Sequence, residues 1–359
     1  MVITIIGGGN IGTQFAVHCA AKGHNVRILT SAPEVFEKRL TSVDENGNVT
    51  LSGSIDFASA DPEKTLSDAD AVFVTFPSNI MKKAADQVYT YCGKNTLIGV
   101  VPGNGGSECA FHKCIVKGNT FFCIERVPAV ARLVKKGSIV RSVGYRSELH
   151  AAAIPSSEAE RCASFVEGIF DIPCKAVPSM LALTMTPSNP VLHTTRLMTI
   201  FRDYHEGMVY DRLPLFYEEW DDETSELLFR CDEEVMKICR SLPAFDLSGV
   251  RSLREHYESP TPHQLTEKIR SIKAFKGLGT PSVRTENGFI PDLHSRYFTA
   301  DFSYGLSAIV QIAHFAGTDI PNLESVLAWY DGIKKETDMF RYEDYGINDT
   351  ADFLAFYSL

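Results

Sequence analysis

The sequence predicts an α/β domain with a doubly wound, mostly parallel sheet, followed by a domain that is largely α-helical. Three observations carry this. A strand, a glycine turn, a helix and a second strand succeed one another within the first thirty residues. Short apolar runs separated by helical segments then recur as far as Ile124, the pattern of a sheet covered on both faces. Beyond Pro173 the pattern changes to long amphipathic helices, such as Glu223–Cys239 with apolar Leu227, Leu228, Val235 and Ile238, and Tyr304–Phe315 ahead of Gly317.

The opening unit is the most specific. The apolar run Val2–Ile6 leads into Gly7-Gly8-Gly9-Asn10-Ile11-Gly12, a helical stretch ends near Gly23, and Val26–Leu29 reads as the second strand. In this setting Gly7 permits the tight turn, Gly9 lets backbone approach a pyrophosphate, and Gly12 lets the helix pack closely on the sheet. Gly7, Gly9, Asn10, Ile11 and Gly12 are therefore candidate dinucleotide contacts, with the helix N-terminus receiving the phosphates.

Further along, Asn48–Ala58 reads as strands or a hairpin, Asp61–Asp68 as a short helix and Ala71–Thr75 as a buried strand. A helix over Ile80–Tyr91 and strands over Leu97–Val101 and Thr120–Ile124 follow. The strand ends Phe76-Pro77-Ser78 and Pro102-Gly103-Asn104-Gly105-Gly106 fall on the sheet edge where ligands bind in open α/β folds, which adds Phe76, Pro77 and Gly103 to the cofactor candidates. Arg126–Ile154 reads as short strands around a Lys136-Gly137 turn. The expected division is a nucleotide domain over 1–173 and a helical substrate domain over 174–359, with the active site in the cleft between them.

With 359 residues, 44% of them hydrophobic, the chain has ample material for two cores. A net charge of −10 argues against a nucleic-acid-binding surface. No apolar stretch approaches the roughly 18–20 residues of a membrane span, and the chain opens on a strand rather than a signal peptide. Nine cysteines are scattered without a C-x-x-C pair, which fits reduced thiols and no metal site. A cytoplasmic enzyme of small molecules is expected, with no nucleic-acid or membrane partner and its helical faces leaving room for a homo-oligomer.

Nicotinamide sites for NAD usually carry an acidic residue at the end of the second strand, about 20 residues past the glycines. Here that strand ends in Leu29-Thr30-Ser31-Ala32-Pro33, with Glu34 beyond the proline and Lys38 and Arg39 close behind. Thr30 and Ser31 are candidate ribose contacts, and the pattern favours NADP(H) over NAD(H). Lys38 and Arg39 read either as phosphate contacts or as a solvated helix face.

Two stretches of the second half carry chemistry. In Ser188-Asn189-Pro190-Val191-Leu192-His193 the Asn-Pro pair reads as an N-cap and first helical residue, which puts His193 in the first turn. In His294–Leu306, Arg296 and Asp301 stand five apart, and on spacing alone Asp301 reads as the N-cap of a helix starting at Phe302.

Together with the glycine fingerprint, the chain resembles the octopine/nopaline (opine) dehydrogenase family along almost its whole length. The resemblance rests on Pro102-Gly103 to Gly106-Ser107-Glu108, Asn189-Pro190-x-x-His193, Phe275-Lys276-Gly277-Leu278-Gly279-Thr280-Pro281, Arg296-Tyr297-Phe298-x-x-Asp301-x-x-Tyr304-Gly305-Leu306 and Gly317-Thr318-Asp319-Ile320-Pro321. It implies a Rossmann domain joined to a helical domain like the C-terminal part of 6-phosphogluconate dehydrogenase. It also implies NAD(P)H-dependent reductive condensation of an amino acid with an α-keto acid such as pyruvate. By the same resemblance His193 and Asp301 are the catalytic pair, Arg296 binds a substrate carboxylate, and Asn189 is a further substrate-binding residue. A second carboxylate needs a second cation, for which Arg132, at the end of Glu125-Arg126-Val127-Pro128-Ala129-Val130-Ala131-Arg132, and Arg126 are candidates. That segment departs from the Thr-rich one expected of the family, which leaves the substrate pair open. The competing readings are a ketopantoate reductase-like or glycerol-3-phosphate dehydrogenase-like enzyme, with Lys273 or Lys276 as its lysine, and a non-catalytic NADP(H)-responsive protein.

Overall fold

The computed structural model describes residues 1–103, 105–186, 188–334 and 338–359. Asn104, within the expected glycine-rich crossing, lies outside them. Two compact units are present, Met1–Thr184 with Ala355–Leu359, and Met185–Leu354. The first unit thus runs past the expected boundary at 173, because Cys174–Ala176 adds an edge strand to its sheet.

The strands of the first unit are β1 (Val2–Ile6), β2 (Asn25–Leu29), β3 (Arg39–Val43), β4 (Val49–Ser54), β5 (Phe57–Ser59), β6 (Ala71–Val74), β7 (Leu97–Val100), β8 (Thr120–Ile124), β9 (Val130–Lys135), β10 (Ile139–Val143), β11 (Leu149–Ile154) and β12 (Cys174–Ala176). Eight of them form one sheet in the order β12-β11-β8-β7-β6-β1-β2-β5. All neighbouring pairs are parallel except β8 with β11. Its central strands are continuous apolar runs because helices α1 (Asn10–Ala21), α2 (Met81–Tyr91) and α3 (Ala159–Phe170) lie along the chain between and after them. Phe15 of α1 sits edge-on to Phe73 at 5.1 Å and to Phe170 of α3 at 4.7 Å, which ties sheet and helices into one core.

A second sheet, β4-β3-β10-β9, was not expected from the sequence. The Asn48–Ala58 stretch forms strands, as read, but divides: β4 pairs antiparallel with β3, while β5 joins the main sheet beside β2. Leu40, Ser42, Val43, Val140 and Ser142 are the buried residues of β3 and β10, and the Gln14 amide of α1 donates to Ser142 Oγ at 2.9 Å. Gly53 is needed where β4 crosses α1, since a Cβ there would lie 2.6 Å from Ala20. Arg39 therefore stands on a strand and not on a solvated helix face.

The second unit is helical. Its elements include α4 (Asn189–Ile200), α5 (Asp222–Arg240), helices over Pro262–Ser271 and Pro321–Lys334, and a hairpin of Ser282–Thr285 with Gly288–Pro291. A ten-residue π-helix, Tyr297–Leu306, runs without a break into α6 (Ser307–Phe315). The helix expected from residue 302 thus begins earlier and in a wider form, and Asp301 is inside it rather than capping it.

Asp232 of α5 is buried and accepts the Leu253 backbone N–H at 2.9 Å at the start of the Leu253–His256 turn. Burial pushes its carboxyl up to about 7, against the opposing pull of that hydrogen bond. A group whose folded value exceeds its unfolded one favours the fold while protonated, and that contribution is lost as pH rises through the folded value. Asp232→Asn keeps an acceptor for Leu253 without the charge. It is expected to stabilise the protein relative to the parent by roughly 1–3 kcal/mol more at about pH 8.5 than at about pH 5. Urea unfolding at the two pH values measures this, and equal shifts at both would refute it.

Candidate active site

In the first unit the glycine loop is built as the fingerprint requires. Gly7 has a φ of +111°, and a Cβ on it would lie 2.6 Å from Thr75 Oγ1. A Cβ on Gly12 would come within 1.8 Å of the Gly7 carbonyl oxygen, so only glycine lets α1 start this close to the end of β1. A Cβ on Gly9, by contrast, would meet nothing within 4 Å, which leaves an open approach at the first turn of α1. The N–H groups of that turn have no partner within the helix, and such a start accepts an anion. This loop has the shape a dinucleotide pyrophosphate needs.

Asn10 has a structural task as well. Its side-chain oxygen accepts the Leu133 backbone N–H at 2.8 Å, tying the loop to β9 of the second sheet. The Thr30 hydroxyl faces Gly8, whose added Cβ would lie 3.0 Å from it, and Ser31 is exposed. Lys38 Nζ donates to the Asp56 carbonyl at 2.7 Å and Arg39 to Ser52 Oγ at 2.7 Å, so both cations already hold protein oxygens. The Phe76 ring lies against Gly7, Pro77 precedes the 3₁₀ turn Ser78–Ile80, and the Gly103 N–H donates to the Ile124 carbonyl at 3.0 Å.

The second unit brings together residues far apart in sequence. Ser188 precedes α4, Asn189 is its first residue and Pro190 its second, so Asn189 is not the cap expected of it. His193 is the fifth residue, beyond the first turn, where the helix dipole has largely faded. It is only 3% exposed. Its Nδ1 lies 2.7 Å from Asp301 Oδ2, and its Nε2 lies 2.8 Å from the Tyr217 hydroxyl. Gly305 of the π-helix makes this possible, because a Cβ there would stand 2.7 Å from the Pro190 ring and force the two helices apart. A carboxylate only accepts, so Asp301 fixes a proton on Nδ1 and leaves Nε2 to pair with the Tyr217 hydroxyl.

Arg296 stands one π-turn before Asp301, so the five-residue spacing matches the i→i+5 ladder and brings both to one side of the element. Its guanidinium is exposed, lies 5.2 Å from the centre of the Tyr297 ring, and has no carboxylate partner among the described residues. Arg132 is in the first unit, exposed on β9 and directly opposite Arg141 of β10. Arg126 donates to Glu125 Oε1 at 2.7 Å. Burial alone would raise the Glu125 carboxyl, but the bonds from His150 and Arg126 hold it down to about 2. Lys273 and Lys276 are exposed on either side of Phe275.

Three residues around His193 were not singled out from the sequence. Tyr217 covers Nε2, and Tyr297 packs its ring 4.6 Å from the imidazole. Arg196, one turn after His193, is buried and makes four hydrogen bonds. It donates to the carbonyls of Phe216 at 3.1 Å and Glu219 at 2.6 Å, and to Asp221 at 2.5 Å and Thr224 at 3.1 Å. The aromatic run Phe216-Tyr217-x-x-Trp220 is the one signal in the sequence, and it reads equally well as core.

Among the described residues no group of three or more His, Cys, Asp or Glu converges as a metal site, and no helix is long and apolar enough to cross a membrane. All nine cysteines are free thiols.

Residues 176–334 match the alpha-helical domain of the NAD/NADP octopine/nopaline dehydrogenases, and residues 2–107 match the N-terminus of NAD-dependent glycerol-3-phosphate dehydrogenase. An opine dehydrogenase of Haliotis discus hannai is 26% identical over 92% of this chain and 89% of its own. A tauropine dehydrogenase of Arabella iricolor is 23% identical over 92% and 90%. The fold is that of octopine dehydrogenase in its complex with NADH and L-arginine, with a TM-score of 0.85 at 22% identity over 99% of this chain and 98% of the other.

Gly12→Ala tests the glycine loop. The added methyl cannot coexist with the Gly7 carbonyl, so α1 must shift away from β1. Overpacking of this kind costs about 1–3 kcal/mol. The variant is expected to melt lower and to lose NADH and NADPH binding in fluorescence titration; parental affinity for both would refute this account of the loop.

Proposed function

We propose that this chain, which belongs to the octopine/nopaline dehydrogenase family of NAD(P)-dependent oxidoreductases, joins the amine of an amino acid to an α-keto acid and reduces the resulting imine. The observation that carries the reading is the buried His193–Asp301 pair, with the Arg296 cation, which has no carboxylate partner among the described residues, one π-turn away. Octopine dehydrogenase has been solved with NADH and L-arginine and with NADH and pyruvate, which makes an amino acid and pyruvate the first substrates to try.

In this reading Arg296 holds a substrate carboxylate through two parallel N–H bonds, a geometry that fixes the substrate plane as well as its charge. His193 supplies a proton as the carbinolamine hydroxyl leaves as water, and in the reverse direction takes one to activate water. Asp301 keeps the imidazole in one tautomer and stabilises its cation. A nicotinamide dinucleotide bound at the Gly7–Gly12 loop supplies the hydride. Holding two substrates and a hydride donor in register removes much of the entropic barrier. The second carboxylate falls to Arg132 or Arg126. Arg132 has no acidic partner among the described residues, whereas Arg126 is already committed to Glu125. We assign NADP(H) as the preferred cofactor, since Thr30 and Ser31 stand where an acidic residue would repel a 2′-phosphate.

The test is oxidation of NADPH and NADH by the purified protein against a grid of amino acids and keto acids. Turnover is expected only when both partners are present. Oxidation with a keto acid alone would move the protein to the simple carbonyl reductases, with Lys273 or Lys276 to examine. His193→Ala is expected to lower turnover by about 10²-fold or more with cofactor binding intact; parental turnover in that variant would remove His193 from the mechanism. Parallel titrations of the two cofactors are expected to show tighter NADPH, and a clear NADH preference would overturn that assignment.

A further inference from the structure

The imidazole at the centre of this site is closed off. Nδ1 is taken by Asp301 and Nε2 by the Tyr217 hydroxyl, and the ring is 3% exposed. A substrate can receive a proton from His193 in only two ways: Tyr217 leaves and Nε2 is uncovered, or the proton passes through the Tyr217 oxygen.

The surroundings hold Tyr217 in place. Its ring stacks on Phe275 with centres 4.1 Å apart and planes at 19°, and it lies parallel to Trp220 at 6.3 Å. The Arg196 guanidinium takes the carbonyls of Phe216 and Glu219, which lie before and after Tyr217 in the chain. The side chain is 5% exposed. Swinging it away would break the stack and strip the buried Arg196 of acceptors. Beside it lie Tyr297, half-buried, and, over the Tyr297 ring, the exposed Arg296, the residue assigned above to a substrate carboxylate.

We propose that Tyr217 is a catalytic residue, relaying the proton between His193 Nε2 and the reacting substrate. The proposal rests on the acid/base reading of His193 given above. In the forward direction imidazolium Nε2–H donates to the Tyr217 oxygen while the Tyr217 O–H donates to the carbinolamine hydroxyl. The C–O bond breaks, its electron pair leaving with the oxygen as water, and the nitrogen lone pair closes the C=N bond. Tyr217 is a neutral phenol before and after, and His193 ends as neutral imidazole. A free tyrosinate never accumulates, because burial, reinforced by the neighbouring Tyr297 phenol, pushes the Tyr217 hydroxyl far above the ordinary phenol range.

Tyr217→Phe keeps the stacked ring and removes only the relay oxygen. The expected result is a fall in single-turnover rate of about 10–10²-fold, with cofactor affinity and the KM of both substrates within about 2-fold of the parent. In mixtures of H2O and D2O the parent is expected to give a bowed proton inventory, two protons moving together. A linear inventory in the parent would overturn the relay without recourse to any variant. A Tyr217→Phe enzyme as fast as the parent or faster, beside an impaired His193→Ala, would also overturn it, since Tyr217 would then only cover the imidazole. His193→Ala at the parental rate would instead sink the acid/base reading on which the relay stands.

Discussion

The second unit is arranged around one hydrogen bond, from His193 Nδ1 to Asp301 Oδ2 at 2.7 Å. Both side chains are almost wholly removed from water. Desolvating two ionisable groups costs several kcal/mol for each, and a single well-aligned contact seldom offsets that. The structure answers with geometry. Gly305 lets the π-helix lie directly on Pro190, which brings Asp301 to the imidazole, and Tyr217 satisfies the second ring nitrogen. A π-helix of this length is uncommon, and such elements concentrate at functional sites. Here its wider turn is what puts Arg296 and Asp301, five residues apart, on the same side.

The first unit is governed by a different constraint, the near-contact between Gly7 and Gly12 that starts α1 against the end of β1. Much else hangs on α1. Gln14 bonds Ser142 of the second sheet, Asn10 bonds the β9 backbone, and Phe15 enters the main core. The same few residues therefore shape the glycine loop and join two sheets. A fault in the loop is felt in stability as well as in binding.

How far the sequence revealed this depends on how each element is buried. The central strands β1, β6, β7 and β8 are covered on both faces and read as apolar runs, so they and β2 beside them are legible nearly to the residue. Those of the second sheet are poorer in apolar residues; Arg39-Leu40-Thr41-Ser42-Val43 holds only Leu40 and Val43 and buries Ser42 between them, too little apolar signal to stand out. The edge strand Cys174–Ala176 is three residues long and leaves almost no trace in the sequence. Asn189-Pro190 announced a helix start but not which residue caps it. The resemblance to a known family marked His193, Arg296 and Asp301, while spacing alone would have made Asp301 a helix cap. Tyr217 and Arg196 owe their roles to contacts across 24 and 20 residues, and a buried aromatic or arginine bears no local mark of such a partner.

Two arginines in the second unit show how environment separates roles that residue type cannot. Arg196 is buried and makes four hydrogen bonds to the Phe216–Thr224 segment, with Asp221 as its counter-charge. Every donor so engaged is one that a ligand could recruit only by undoing the loop that positions Tyr217. Arg296 is exposed, rests on an aromatic face and faces no carboxylate among the described residues. Its planar donors remain available for bidentate contact, the property the proposed substrate role demands. The two side chains are chemically the same. One is consumed in holding the Phe216–Thr224 segment and the other is left open, and this division of labour sets a buried imidazole–carboxylate pair and an open cation in one helical unit, as the proposed acid/base and carboxylate-binding roles require.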